Sequence, residues 1–240
     1  DLAINASSGI FVESMMAHEV VTKGNTDWQS QLAQARQEFE SWNSSIEVKG
    51  KVQLSDIIKT IEQDTADNAI ICNGAGNNTA WLHRFYRFRE YRTQLAPTSG
   101  TMGYGLPAAV AAKLLHPERT VVAFAGDGCF MMSLQELATA MQYRANIIVI
   151  VINNGIYGSI RMHQEREYPG RVVGTDMVNP DFCKLAEAFG AQAERVTTTE
   201  EFGPAFERAQ AANLPALIEV QIDPDLLTPT TTIEALRNPG

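Results

Sequence analysis

Several features that would assign a chain to a class at a glance are scarce or missing here. Among 240 residues there are 3 cysteines, Cys72, Cys129 and Cys183. They form no C-x-x-C pair and no dense set, which speaks against a disulfide framework and fits a reducing compartment such as the cytoplasm. The longest purely aliphatic run, Ile147 to Ile152, is far short of the roughly 20 residues a membrane helix needs. No charged-then-apolar leader opens the chain. Basic residues are not in excess: 19 Lys and Arg against 28 Asp and Glu leave a formal charge of −9. Neither nucleic acid nor a membrane is therefore expected as a partner, because phosphate-bearing surfaces attract cationic proteins. Internal repeats and low-complexity tracts are also absent. The first residue is Asp1, and DLAINASSGIF reads as mid-protein sequence, so an upstream portion is expected.

One stretch runs against the acidic balance. His83 to Arg92 reads HRFYRFREYR, four arginines among four aromatics, a composition that would suit stacking on bases. In an acidic chain the plainer reading is a wall whose arginines neutralise acidic neighbours or an anionic substrate.

With 45% hydrophobic residues the chain can bury one substantial core. Residues 1–49 differ from the rest: a polar, loop-like HEVVTKGNTD precedes one helix on which Trp28, Leu32, Ala35, Phe39 and Trp42 share a stripe that should pack against something. From about residue 50 to 225 helical and strand patterns alternate, and residues 226–240 read as a C-terminal tail. Leu54, Ile57, Ile58 and Ile61 make a helical face, and Ala69 to Cys72 make a short strand ending in NGAGNN. Pro107 sits at the opening turn of an Ala-rich helix over Leu106 to Leu115. Strands follow at Thr120 to Ala125, Ile147 to Ile152 and Ala216 to Ile222, with helical faces between them, the last capped by Thr199. Aliphatic strands separated by amphipathic helices predict an α/β fold, a doubly wound parallel sheet with helices on both faces. Its ligand should lie at the carboxyl ends of the strands.

Asp127 follows one strand in Gly126-Asp127-Gly128, and Asn154 follows the next; 24 residues, 129–152, separate Gly128 from Asn153. That length accommodates a turn, a helix and a returning strand. If the two strands are neighbours, both side chains emerge at one sheet edge, where hard oxygens can converge on Mg²⁺. Gly126 and Gly128 let the backbone turn and present N–H groups to a diphosphate.

This combination of GDG after a strand, the spacer, and NN resembles the motif of thiamine diphosphate (ThDP)-dependent enzymes. The resemblance covers roughly residues 50 to 225, with the acetolactate synthase-like branch nearest, and implies ThDP and Mg²⁺ as cofactors. The metal would be held by Asp127, Asn154 and the carbonyl of Ile156. SGTMGYGLPAA, Ser99 to Ala109, is similar to the segment gripping the aminopyrimidine, where Gly100 offers a carbonyl and Met102 props the bent cofactor. NGAGNNTAW, Asn73 to Trp81, is similar to the loop that meets the diphosphate, placing Gly76, Asn77 and Asn78 there, although this branch usually has Gln-His at the two asparagines. Both pairs can hydrogen-bond phosphate. Cys129 falls where relatives carry a small residue facing the diphosphate. His163 replaces a Trp that shapes the second-substrate pocket, which sets acetolactate synthesis itself apart as an open matter. Residues 1–45 are similar to the end of a middle domain, and FAD is left open with no residue assigned to it.

The family decarboxylates 2-oxo acids or joins them to a second carbonyl, with the cofactor carrying the organic chemistry. The resemblance places the catalytic glutamate on a pyrimidine-binding domain not represented here, so no catalytic residue is assigned in this chain. Sites shared between subunits imply a homodimer or homotetramer of the full-length protein. Three readings stay open: a carboligase, decarboxylase or other lyase of this family; a binding-only noncatalytic paralogue or fragment; and an ordinary nucleotide-binding domain, for which NGAGNN fails to supply G-x-G-x-x-G.

Overall fold

A computed structural model describes residues 3–18 and 26–238. The chain divides into two compact units, Asp1–Asn43 and Ser44–Gly240. The first holds α1 (Ser8–Ala17) and α2 (Thr26–Trp42). Only α2 was expected; α1 buries none of its residues. Of the polar stretch expected before α2, residues 19–25 lie outside the described residues. The α2 stripe forms as a helix, on which Trp28, Leu32, Phe39 and Trp42 are 68%, 66%, 52% and 54% exposed.

The second unit alternates as its periodicity requires. In order it contains α3 (Leu54–Asp64), β1 (Ile70–Asn73), α4 (Asn77–Phe85), β2 (Gln94–Leu95), α5 (Gly105–Leu115), β3 (Val121–Gly126), α6 (Asp127–Phe130), α7 (Glu136–Gln142) and β4 (Ile148–Asn153). It continues with α8 (Gly158–Glu167), α9 (Phe182–Ala188), β5 (Gln192–Val196), α10 (Thr199–Ala211), β6 (Ala216–Gln221), β7 (Leu226–Thr228), β8 (Thr231–Thr232) and α11 (Ile233–Arg237).

Six strands form one parallel sheet in the order β2-β1-β3-β4-β6-β5. Successive residues of the central strands β1, β3, β4 and β6 feed opposite cores, the period-2 consequence of a pleated backbone. Ile71, Val122, Phe124, Ile148 and Ile150 join α3, α4 and α10 in one core. Ile70, Cys72, Val121, Ala123 and Val149 join α5, α7 and α9 in the other. The sheet is thus covered on both faces, a doubly wound α/β fold. Two strands of this sheet escaped the sequence reading, and both are edges. β2 is two residues long and β5 carries Gln192, Glu194 and Arg195, because an edge is only partly buried and need not be aliphatic. The N-cap of α10 is Thr198, one residue before the expected Thr199. Thr199 Oγ1 instead accepts from the Gln53 N–H at 2.7 Å, while the Glu201 carboxylate accepts the Thr198 N–H.

From β1 the chain steps outward to β2, then crosses back to β3 on the other side. The strand order therefore switches between β1 and β3, where a crevice opens at the carboxyl ends. Residues 226–238 complete the same unit: β7 and β8 pair antiparallel, Leu226, Leu227 and Ile233 are buried, and the Trp81 indole N–H donates to the Leu227 carbonyl at 3.4 Å. Among the described residues no helix is long and apolar enough to cross a membrane.

Candidate functional site

A cavity of about 300 Å³ occupies that crevice. Four loops build it. After β1 come Gly76, Asn77 and Asn78; the segment before α5 gives Gly100 and Met102; after β3 come Gly126, Asp127, Gly128 and Cys129; after β4 come Asn154 and Ile156. All eleven cofactor-site residues expected from the sequence line this one space. The condition placed on the metal pair holds: β3 and β4 are paired neighbours, with Gly126 opposite Ile152, so Asp127 and Asn154 leave the sheet side by side.

Glycines make the close approaches. A Cβ on Gly76, which has φ +131°, would sit 2.7 Å from Asn78 Oδ1, and one on Gly128 would sit 2.8 Å from the Tyr157 ring. Cys129 is a packing residue. Its Sγ accepts the Gly103 N–H at 3.1 Å, and a Cβ on Gly74 would fall 2.2 Å from it. No histidine lines the cavity, so Cys129 has none there to activate it as a nucleophile. The Cys72 thiol, in the core, is pushed up to about 12 by burial.

The polar groups are laid out for an anion and a cation. α4 begins at Asn77, and its first N–H groups have no intrahelical acceptor, a disposition that favours anions. Asn77 Oδ1 accepts from the Ser159 hydroxyl at 2.8 Å, which leaves its amide nitrogen facing away. Among the described residues the Nδ2 groups of Asn77 and Asn78 are both buried without a hydrogen-bond partner. An unmet buried donor costs about 1–3 kcal/mol, and two of them on residues that line one cavity fit a site for acceptor oxygens such as those of a diphosphate. Asp127 is buried. Its Oδ1 accepts the Gly128 N–H at 2.8 Å, and its Oδ2 accepts the Gly155 N–H at 2.9 Å and Asn179 Nδ2 at 2.7 Å. Burial raises its pKa and these donors oppose the rise; a divalent cation would offset the same desolvation. Among the described residues Asn154 Oδ1 accepts the Ile156 N–H alone, at 3.3 Å, leaving a lone pair for a metal. The donor set is the hard-oxygen chemistry that Mg²⁺ requires.

His163 stands apart. It is exposed on α8, one turn beyond the cavity-lining Ile160 and outside the lining. The basic segment is largely structural: Phe85 and Tyr86 are buried, and Arg89 pairs with Glu62 at 2.7 Å and Asp67 at 3.3 Å. Sequence reasoning missed Tyr157, Ser159, Leu226 and Leu227 as cavity walls and Asn179 as the donor to Asp127. Only the apolar pair Leu226-Leu227 carried a signal, since two leucines in a terminal segment imply burial.

Residues 74–220 match the family described as thiamine pyrophosphate enzyme, C-terminal TPP binding domain. The chain belongs to that family. Its relatives place it among the acetolactate synthase-like members. It is 30% identical to the mitochondrial acetolactate synthase catalytic subunit of Saccharomyces cerevisiae over 92% of this chain and 33% of that protein. It is 39% identical to the acetolactate synthase large subunit of Corynebacterium glutamicum over 70% of this chain and 28% of that protein. Among solved structures, the thiamine diphosphate-dependent 4-hydroxybenzoylformate decarboxylase of Rhodococcus jostii RHA1 matches with a TM-score of 0.70 and 31% identity, over 76% of this chain and 34% of that one. The chain thus spans about a third of the length of these relatives. It is a ThDP-binding domain of the doubly wound α/β class.

Proposed function

We propose that this chain is the cofactor-binding, carboxyl-terminal part of a ThDP- and Mg²⁺-dependent 2-oxo acid decarboxylase or carboligase. The observation that carries this reading is the pairing of β3 with β4, which brings Asp127 and Asn154 to the cavity that Asn77 and Asn78 also line, residues whose amide nitrogens have no partner among the described residues. In this reading Asp127, Asn154 and the Ile156 carbonyl hold Mg²⁺. Gly76, Asn77, Asn78, Gly126, Gly128 and Cys129 line the diphosphate, and Gly100 and Met102 meet the aminopyrimidine. Bound ThDP supplies the carbon nucleophile and electron sink for 2-oxo acid chemistry. The chain's own residues bind and orient it, and the apolar walls from Leu226, Leu227 and Trp81 exclude water, which strengthens every polar contact inside.

A glutamate on a separate pyrimidine-binding domain completes the site in this reading, across an interface between subunits of a homodimer or homotetramer. Residues 1–49 are the end of a middle domain. By its name the structural relative decarboxylates 4-hydroxybenzoylformate, and the others by theirs form acetolactate, which supports a small-molecule 2-oxo acid as substrate. Calorimetric titration of ThDP with and without Mg²⁺ tests the assignment. Asp127→Ala and Asn154→Ala in the full-length protein should each abolish metal-dependent binding while leaving the circular dichroism spectrum intact. An unchanged Mg²⁺-dependent affinity in either variant would remove the metal site from these residues.

A further inference from the structure

We propose that Asn179 is a positioning residue for the metal ligand Asp127, held in one amide orientation by a hydrogen-bonded chain that begins at the buried carboxylate of Glu219. The proposal rests on the reading of Asp127 as a ligand. Nothing in the GDG or NN segments points to Asn179, which lies 52 residues beyond Asp127, in the loop before α9.

The chain starts in the sheet. Glu219 sits on β6 opposite Val151 of β4 and is 2% exposed. Its Oε2 accepts Arg195 Nε at 2.8 Å and its Oε1 accepts Asn153 Nδ2 at 2.7 Å. An ionised carboxylate only accepts, so it selects the donor end of the Asn153 amide. The other end, Asn153 Oδ1, then faces two donors: the Gly155 N–H at 3.1 Å and Asn179 Nδ2 at 2.9 Å. The Gly155 N–H can only donate, so Asn153 is pinned at both ends by groups with a single role.

Asn179 inherits that polarity. Its Nδ2 stands between two acceptors, Asn153 Oδ1 and Asp127 Oδ2, and spends one hydrogen on each. Turning the amide over would put a carbonyl oxygen against a carboxylate and a second carbonyl. The orientation is kept even though Asn179 Oδ1 is left buried with no partner among the described residues, a cost that one orientation must outweigh. Asp127 Oδ2 is therefore held by two fixed donors, the Gly155 N–H and Asn179. Groups that orient a metal ligand in this way typically change metal affinity about 10–100-fold when removed.

Arg195 closes the far end. Its guanidinium also reaches Asp181 Oδ1 at 2.8 Å, so Glu219 keeps a cation on one side and an amide donor on the other. A glutamine at 219 can satisfy only one of them as acceptor, because its NH₂ end would meet either Arg195 or the Asn153 NH₂.

The test uses the full-length protein with saturating ThDP and Mn²⁺ as the probe, free Mn²⁺ being read by electron paramagnetic resonance. Asn179→Leu, close in volume but without donors, should weaken Mn²⁺ binding by about 10–100-fold, and Glu219→Gln should weaken it in the same direction. The double variant should bind no worse than Asn179→Leu alone, because one cut already interrupts the chain. Independent, multiplicative losses would overturn the relay, as would Asn179→Leu binding Mn²⁺ like the parent. Should Glu219→Gln fail to fold, Asn179→Ser decides the matter: its retained donor should restore part of the affinity lost in Asn179→Leu, and equal affinities would overturn the role. A parent protein that binds no Mn²⁺ with ThDP would remove the metal assignment itself, and this proposal with it.

Discussion

Gly128→Ala separates the stability of the fold from the function of its cavity. Gly128 lies in α6 with ordinary helical backbone, so a methyl group there meets no conformational penalty and gains about 0.5–1 kcal/mol from reduced chain freedom. The obstacle is steric. The new Cβ would lie 2.8 and 3.0 Å from two carbons of the Tyr157 ring and 3.3 Å from Met177 Sδ, where carbon contacts relax to about 3.5–4.0 Å. The ring must therefore yield by roughly 1 Å, and overpacking of this kind costs about 1–3 kcal/mol. The two terms partly offset each other, leaving a loss of at most about 2.5 kcal/mol, which lowers the melting temperature by no more than about 10 °C for a domain of this size. Cofactor binding has no such compensation. Tyr157 and Gly128 both line the cavity, and the Gly128 N–H also holds Asp127 Oδ1. Displacements near 1 Å in positioned sites cost up to about 100-fold, so Mg²⁺-dependent ThDP affinity should fall at least tenfold. Scanning calorimetry of the cofactor-free protein and titration calorimetry with ThDP measure the two halves. A parent-like dissociation constant, or a fold that collapses outright, would refute the reasoning.

The clamp between α11 and α8 gives a pH prediction. Glu165 is buried and held at about 2, well below the usual carboxylate range, chiefly by hydrogen bonds from Arg237. A depressed folded value means stability that is fully present above the ordinary value near 4.5 and is lost as pH falls through about 2,. Arg237→Ala should move acid unfolding, followed by circular dichroism, to higher pH; an unmoved midpoint would refute the clamp. His163→Ala and His163→Trp should alter the ratio of kcat/KM values across 2-oxo acids and aldehydes more than ThDP affinity, and constant ratios would show that the exposed face of α8 does not meet substrate. The 240-residue chain alone should release no measurable CO₂ from pyruvate with ThDP and Mg²⁺, since in the proposed reading general acid–base assistance, worth about 10²–10⁴ in rate, comes from a separate domain. Stoichiometric ThDP-dependent release would mean that a proton donor lies among the residues read as binding only.

By itself the sequence determined the parts of this protein whose chemistry is local. The aliphatic runs of β3 and β4 demand burial on both faces, and their period and length leave a covered parallel sheet as the consistent arrangement. GDG and NN directly after those runs put oxygen ligands at strand ends, and the helical faces of α3 and α5 were legible from apolar spacing alone. Tertiary structure decided what depends on neighbours distant in the chain. The edge strands β2 and β5 have no aliphatic signature because they are only partly covered, and pairing partners, rather than composition, make them strands. Residues 226–238 became a cavity wall by folding back onto Trp81 and Glu165, contacts that span 146 and 72 positions. The stripe on α2 shows the reverse case, since its spacing announced an apolar face while Trp28, Leu32, Phe39 and Trp42 each stay more than half exposed. Asn179 was invisible for a related reason. Its role lies in two hydrogen bonds, to Asp127 and Asn153, and a hydrogen bond between side chains far apart in sequence leaves no mark on periodicity, spacing or composition.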